Sequence, residues 1–94
     1  MSENSEHRRV VQLPADVALH ARPAGLLVRA AAALPAEVVL NANGKTAKAS
    51  SILQVLALGA EGGSSVEVVT SGAGASDALD TIAGLLETLA DSTV

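Results

Sequence analysis

The residues best suited to chemistry are a histidine and an arginine separated by one position. His20 and Arg22 stand at the start of a run whose apolar spacing predicts a helix, with Pro23 in its opening turn. N–H groups at a helix start concentrate partial positive charge, so the backbone of Ala21 and Arg22 would attract an anion. Arginine also presents planar donors that match phosphate oxygens. The group is therefore suited to an imidazole that carries a phosphoryl group, stabilised by Arg22.

A His-x-Arg pair by itself is more often a loop histidine followed by a solvated charge, so the surrounding elements matter. β-Branched runs predict strands, and apolar residues at helical spacing predict helices. The predicted elements are a strand at residues 9–13, a helix at 21–34, strands at 37–41 and 45–49, a short helix ending at 58, a strand at 66–70 and a helix after 76.

Local signals fix several boundaries. Asn43-Gly44 supplies the positive φ angles of a tight hairpin turn. Ser51 and Gln54 have the spacing of a capping box at a helix start. We expect the buried faces of the first and third helices to consist of Leu26, Leu27, Ala30 and Leu34, and of Leu79, Ile82, Leu86 and Leu89, respectively.

The element order βαββαβα predicts an α+β fold in which a four-stranded antiparallel sheet is covered on one face by three helices. We expect a flexible polar tail at residues 1–8, which includes His7, and a single domain at residues 9–91. Ferredoxin-like ligand-sensing or interaction modules share much of this order and have no need of His20.

Composition excludes several classes of protein. The 94 residues include no cysteine, which rules out disulfides and thiolate metal sites, and no aromatic residue for stacking on bases. The formal charge of −4 disfavours nucleic-acid and anionic-membrane binding. Because no apolar run is long enough to span a membrane or to act as a secretory signal, we expect a cytoplasmic protein without metal or cofactor.

Three segments resemble the HPr family of histidine phosphocarriers of the bacterial phosphotransferase system. They are the string Ala18-Leu-His-Ala-Arg-Pro-Ala24, the hairpin Asn43-Gly-Lys45 and the segment Ser51-Ile-Leu-Gln-Val-Leu-Ala-Leu-Gly59. The resemblance covers roughly residues 9 to 90. It implies an HPr-like open-faced β-sandwich, with His20 phosphorylated on a ring nitrogen and Arg22 assisting.

By this resemblance the chain is a covalent carrier rather than an enzyme. It would be a monomer that receives its phosphoryl group from enzyme I, which phosphoenolpyruvate charges, and passes it to enzyme IIA proteins for sugar uptake. Family members dock partners through the second helix, which gives Ile52, Leu53 and Leu56 as candidates here. Gly25 in the first helix would serve the same partners by allowing close approach, or else would serve tight internal packing.

Ser51 matches the serine that HPr kinase/phosphorylase modifies in many HPr proteins of Gram-positive bacteria, where phosphate would lie within the docking surface. Ser50 stands where those proteins often have a basic residue. The structural role of Ser51 is a helix cap. A third function, hydrolysis of acyl phosphates, would need Arg22 together with Asn41 or Asn43, both of which flank the hairpin turn.

Overall fold

The strands and helices follow the predicted βαββαβα order. The structure is a computed structural model, and it describes residues 6–89. Its strands are β1 (Glu6–Gln12), β2 (Glu37–Ala42), β3 (Lys45–Lys48) and β4 (Ser65–Ser71). Its helices are α1 (Ala21–Ala32), α2 (Ile52–Ala57) and α3 (Ala75–Glu87).

The four strands form one antiparallel sheet in the order β1-β4-β2-β3. Along β4, Val66, Val68 and Thr70 are buried, whereas the residues between them are less buried. This alternation places one face of the sheet against the helices and leaves the other open. The predicted fold class, helices on one face of an antiparallel sheet, is confirmed.

The core is entirely aliphatic apart from one hydroxyl. Thr70 is the only buried polar side chain among residues 6–89, and its Oγ1 donates a hydrogen bond of 2.7 Å to the carbonyl oxygen of Ala75. The hydroxyl is therefore satisfied, as burial requires. All four residues predicted for the buried face of the third helix are buried, namely Leu79, Ile82, Leu86 and Leu89.

The buried face of α1 differs from the prediction. Its buried residues are Pro23, Ala24, Leu27 and Ala31. Leu26 is 46% exposed, and Ala30 and Leu34 are only half-buried. The prediction followed the large leucines, but α1 packs against α2 and α3, and the face that it buries contains two alanines and Pro23 beside Leu27 and leaves Leu26 exposed.

Strand β1 begins three residues earlier than predicted. Glu6, His7 and Arg8, expected in the tail, pair with Ser71, Thr70 and Val69 of β4 and satisfy their backbone groups through the sheet. A polar sequence can form a strand when a neighbouring strand supplies hydrogen-bond partners. The rest of the predicted tail, residues 1–5, and the predicted domain end at residues 90 and 91 lie outside the described residues.

Polar side chains cross the open face of the sheet. The Arg8 guanidinium lies 3.5 Å from a Glu67 carboxylate oxygen, and Asn41 donates to the same carboxylate at 2.9 Å. Thr46 in turn donates to Asn41 at 2.7 Å. Val10 also projects from this face and is 63% exposed. It gives the open face an apolar side chain remote from α1 and α2.

Candidate functional site

His20 is the N-cap residue of α1 and is exposed. Its backbone is extended, with φ −98° and ψ −164°, and its carbonyl oxygen accepts the first helical hydrogen bond from the N–H of Ala24 at 2.8 Å. The His20 N–H donates to the carbonyl oxygen of Ala18 at 2.8 Å. The side chain makes no capping hydrogen bond. The backbone thus starts the helix while the imidazole projects at its N-terminal end.

The first turn of α1 is shaped by proline. Pro23 is buried and has no N–H, at a position where an amide would have no partner within the helix. The N–H groups of Ala21 and Arg22 belong to the same turn, and both residues are exposed. The structure therefore places His20 and the first-turn N–H groups of Ala21 and Arg22 together at the positive end of a 12-residue helix.

Buried neighbours fix the backbone just before His20. Leu19 is 1% exposed, and its N–H donates to the carbonyl oxygen of Ala60 at 2.9 Å. Val17 is 3% exposed, and its N–H donates to Pro14 at 3.1 Å. The side chains of Val17 and Leu19 are buried in the core, so the backbone that leads to the exposed His20 is held in place.

Helix α2 leaves most of its apolar side chains exposed, including the three docking candidates. Ile52, Leu53 and Leu56 are 39%, 77% and 40% exposed, whereas Val55 is buried. Leu26 adds a further exposed leucine from α1, which packs against α2. We call Leu26, Ile52, Leu53 and Leu56 the apolar surface. Sequence analysis missed Leu26 because its spacing placed it in the core.

Gly25 lies on α1 beside Leu26 and is half-buried. A Cβ at Gly25 would meet no atom within 4 Å outside its own helix backbone. Tight internal packing therefore does not explain this glycine, and that alternative is wrong. Of the two explanations for a glycine at this position, close approach of a partner is the one that is left.

Ser51 caps α2, as predicted. Its Oγ accepts a hydrogen bond from the N–H of Gln54 at 3.3 Å. In a capping box the Gln54 side chain would accept a hydrogen bond from the N–H of Ser51. Here it accepts instead from the N–H of Lys48, at 2.8 Å. Gln54 thus ties α2 to the end of β3. Ser51 is half-buried, and Ser50 beside it is exposed.

The hairpin turn closes the other end of α2. Asn43 has a φ of 54°, and its Nδ2 donates to the carbonyl oxygens of Leu58 at 2.9 Å and Gly59 at 3.1 Å. Lys45 donates from Nζ to the carbonyl oxygen of Ala57 at 3.3 Å. These donors satisfy the last carbonyls of α2. The sequence predicts the turn but not this cap, because the contacts join residues 12 to 16 positions apart.

Other binding features lie away from His20. A groove of about 420 Å³ runs past Ala31, Leu34, Glu37 and Lys48. It lies at the C-terminal end of α1, about 18 Å along the helix from His20.

Within residues 6–89, no group of three or more histidine or acidic side chains is arranged to hold a metal ion. None of the described helices is both long and apolar enough to cross a membrane.

Comparison with known proteins identifies the family. Residues 7–88 match the family model described as the PTS HPr component phosphorylation site. The chain belongs to the HPr family. Members of this family are phosphocarriers of the phosphotransferase system and are not catalytic enzymes.

Individual HPr proteins agree in sequence and in fold. The chain is 44% identical to the phosphocarrier protein HPr of Streptomyces coelicolor over 69 residues, which cover 72% of this chain and 74% of that protein. It is 31% identical to HPr of Vibrio cholerae over 83 residues, covering 88% and 98%. The crystal structure of HPr from Bacillus anthracis superimposes with a TM-score of 0.84 at 31% identity, covering 88% of this chain and 99% of that one.

Family membership decides between the interpretations that the sequence left open. A ferredoxin-like sensor is not supported, since the HPr family accounts for 7–88. Hydrolysis of acyl phosphates would need an asparagine beside Arg22. Asn41 instead donates to Glu67 on the open face of the sheet, and Asn43 caps α2. Both amides serve the fold.

Proposed function

We propose that His20 accepts a phosphoryl group on a ring nitrogen and transfers it onward. The supporting observation is an exposed imidazole at the positive end of α1, two residues from Arg22. The nitrogen lone pair attacks phosphorus, so a nitrogen–phosphorus bond forms as the bond to the donor breaks. Onward transfer reverses these roles with the acceptor. Arg22 and the N–H groups of Ala21 and Arg22 stabilise the phosphate charge.

We propose enzyme I as the donor and enzyme IIA proteins as acceptors, in the cytoplasm and with the carrier as a monomer. The apolar surface and Gly25 support a role in docking, because exposed apolar patches commonly mark partner sites. Helices α1 and α2 together contain two arginines and no carboxylate, although the chain has a net negative charge. This side of the molecule therefore suits partners with an acidic surface around an apolar centre.

The direct test is to mix the protein with enzyme I and phosphoenolpyruvate and to measure its intact mass. We expect one added phosphoryl group that is lost in acid. His20→Ala should abolish the label and stay folded, because the side chain is exposed and makes no cap contact. Arg22→Ala should label more slowly but fully. Normal labelling of His20→Ala would place the site elsewhere.

We also propose that phosphorylation of Ser51 regulates docking. Phosphate at Ser51 would put about two negative charges beside Ile52 on the apolar surface, which would weaken partner binding by desolvation and repulsion. Incubation with HPr kinase/phosphorylase and ATP should label the wild type and Ser50→Ala, but not Ser51→Ala. Label that survives Ser51→Ala, or no label at all, would contradict the proposal.

A further inference from the structure

The loop that carries His20 is built against one other segment of the chain. We call residues 13–20 the histidine loop and residues 60–64 the glycine segment. Three backbone hydrogen bonds join them: Leu13 N to Ser64 O at 2.9 Å, Gly63 N to Pro14 O at 3.0 Å and Leu19 N to Ala60 O at 2.9 Å. The side chain of Gln12, at the end of β1, adds a bond of 3.0 Å to the carbonyl oxygen of Gly63.

The tightest contact between the two segments is at Gly62. A Cβ at this residue would lie 2.9 Å from the carbonyl carbon of Ala15, closer still to its oxygen, and 3.0 Å from the amide nitrogen of Val17. All three atoms belong to the backbone, so no flexible side chain is available to move aside. Any side chain at position 62 would therefore displace the backbone of residues 15–17 or of the glycine segment.

Such a displacement would reach His20 along a short path. Val17 is three residues before His20 and is held in the core. Leu19 is bonded to Ala60 within the glycine segment, and the His20 N–H is bonded to Ala18. Since Leu19 is bonded to the glycine segment and the Val17 N lies against Gly62, movement at Gly62 changes the position of His20 at the start of α1.

We propose that Gly62 is a positioning residue for phosphoryl transfer: its missing side chain lets the histidine loop seat on the glycine segment and so fixes the imidazole of His20 at the start of α1. This inference rests on the proposed phosphorylation of His20. Gly62 acts through the backbone of Ala15 and Val17.

The test compares Gly62→Ala with Gly72→Ala. Gly72 has a φ of +88°, so alanine there is strained, but its Cβ would meet nothing within 4 Å. Gly72 follows the far end of β4, about 20 Å from the end nearest the histidine loop. Both variants lose stability, and only Gly62→Ala displaces the histidine loop. The far-ultraviolet circular dichroism of each variant defines a temperature at which it is fully folded.

The first readout is the nuclear magnetic resonance spectrum of the imidazole rings. The chain has two histidines, so His7, at the other end of the sheet, is an internal control and His20→Ala assigns the signals. Gly62→Ala should shift the ring signals of His20 and leave those of His7 in place. Gly72→Ala should leave those of His20 unchanged. This readout does not depend on phosphorylation.

The second readout is the rate of labelling by saturating phosphorylated enzyme I. Because misplacement of a reacting group by about 1 Å can cost about a hundredfold in rate, we expect Gly62→Ala to be slower by about tenfold or more, and Gly72→Ala to stay within about twofold of wild type. Equal His20 signals and equal rates in the two variants would overturn the inference. Failure of the wild type to label would instead overturn the proposed function.

If Gly62→Ala does not fold, Gln12→Ala perturbs the glycine segment more gently at the neighbouring residue, Gly63. It removes the exposed side-chain bond to Gly63. We expect the same ring shifts at His20 with a smaller loss of rate. Thr46→Ala, which removes an exposed side-chain bond on the open face of the sheet, is its control. Unchanged His20 signals in Gln12→Ala would then refute the positioning role.

Discussion

Truncation of Leu53 should weaken partner docking while sparing the fold. Leu53 is 77% exposed, the largest exposure of any large apolar side chain among residues 6–89. Changing it to alanine removes three carbon atoms, each contributing about 0.8 kcal/mol when buried. Scaled by the 77% exposed fraction, the available loss is about 2 kcal/mol. Binding to enzyme I should therefore weaken by about 20- to 30-fold.

A matched control is available on the other side of the molecule. Val10 is 63% exposed on the open face of the sheet, so Val10→Ala removes two carbon atoms from an exposed apolar side chain without touching α1 or α2. Its affinity for enzyme I should stay within about twofold of wild type. Leu53→Ala should change the free energy of unfolding by less than about 0.5 kcal/mol, since the side chain is exposed. Val10→Ala should lose at most about 1 kcal/mol through lower strand propensity.

Isothermal titration calorimetry of each unphosphorylated variant with enzyme I measures binding apart from transfer. Urea unfolding followed by far-ultraviolet circular dichroism measures stability, because a chain without Trp, Tyr or Phe offers no intrinsic fluorescence. The reasoning is refuted if Leu53→Ala binds as tightly as wild type. It is also refuted if Val10→Ala loses as much affinity for enzyme I as Leu53→Ala does, since the loss would then depend on exposed apolar area anywhere on the molecule.

Three further predictions concern the stability of the elements around the site, each measured by urea unfolding. Asn43→Gly should lower the free energy of unfolding by about 1–2 kcal/mol, because it removes the hydrogen bonds to the end of α2. Asn43→Ala should lower it by about 1 kcal/mol more, because the positive φ at this position is strained for alanine. Equal losses in the two variants would contradict the role of the positive φ. Ser51→Ala should lower the free energy of unfolding by about 1 kcal/mol through loss of the helix cap, whereas Ser50→Ala should leave it nearly unchanged. Equal stability of the two variants would disprove the capping role of Ser51. Ile82→Val should cost about 1 kcal/mol by leaving a small cavity in the core, a prediction that unchanged stability would exclude.

Local patterns were sufficient for the elements and their order. Asn43-Gly44 has a positive φ at both residues, as the hairpin prediction requires. Ser51 caps α2 in the predicted place. Leu79, Ile82 and Leu86 recur at helical spacing and are buried. These features depend on contacts within a few residues of the chain, so short-range rules suffice to predict them.

The candidate site was predictable for a similar reason. His20, Arg22 and Pro23 are close in sequence, so the start of a single helix places them in one turn of the chain. The exposure of Leu53 was also predictable, because a helix that is apolar all round cannot bury every side against one sheet. That His20 carries phosphate and that Ser51 is modified stay predictions.

Tertiary packing decided what the patterns left open. Leu26 and Leu27 are equally apolar, and only the docking of α1 against α2 and α3 leaves one exposed and buries the other. Glu6 joins a strand because β4 supplies its hydrogen bonds. Asn43 reaches α2, and Gly62 meets Ala15, across separations that no local pattern encodes. The sequence by itself determined which groups could act, and long-range contacts determined how they are held.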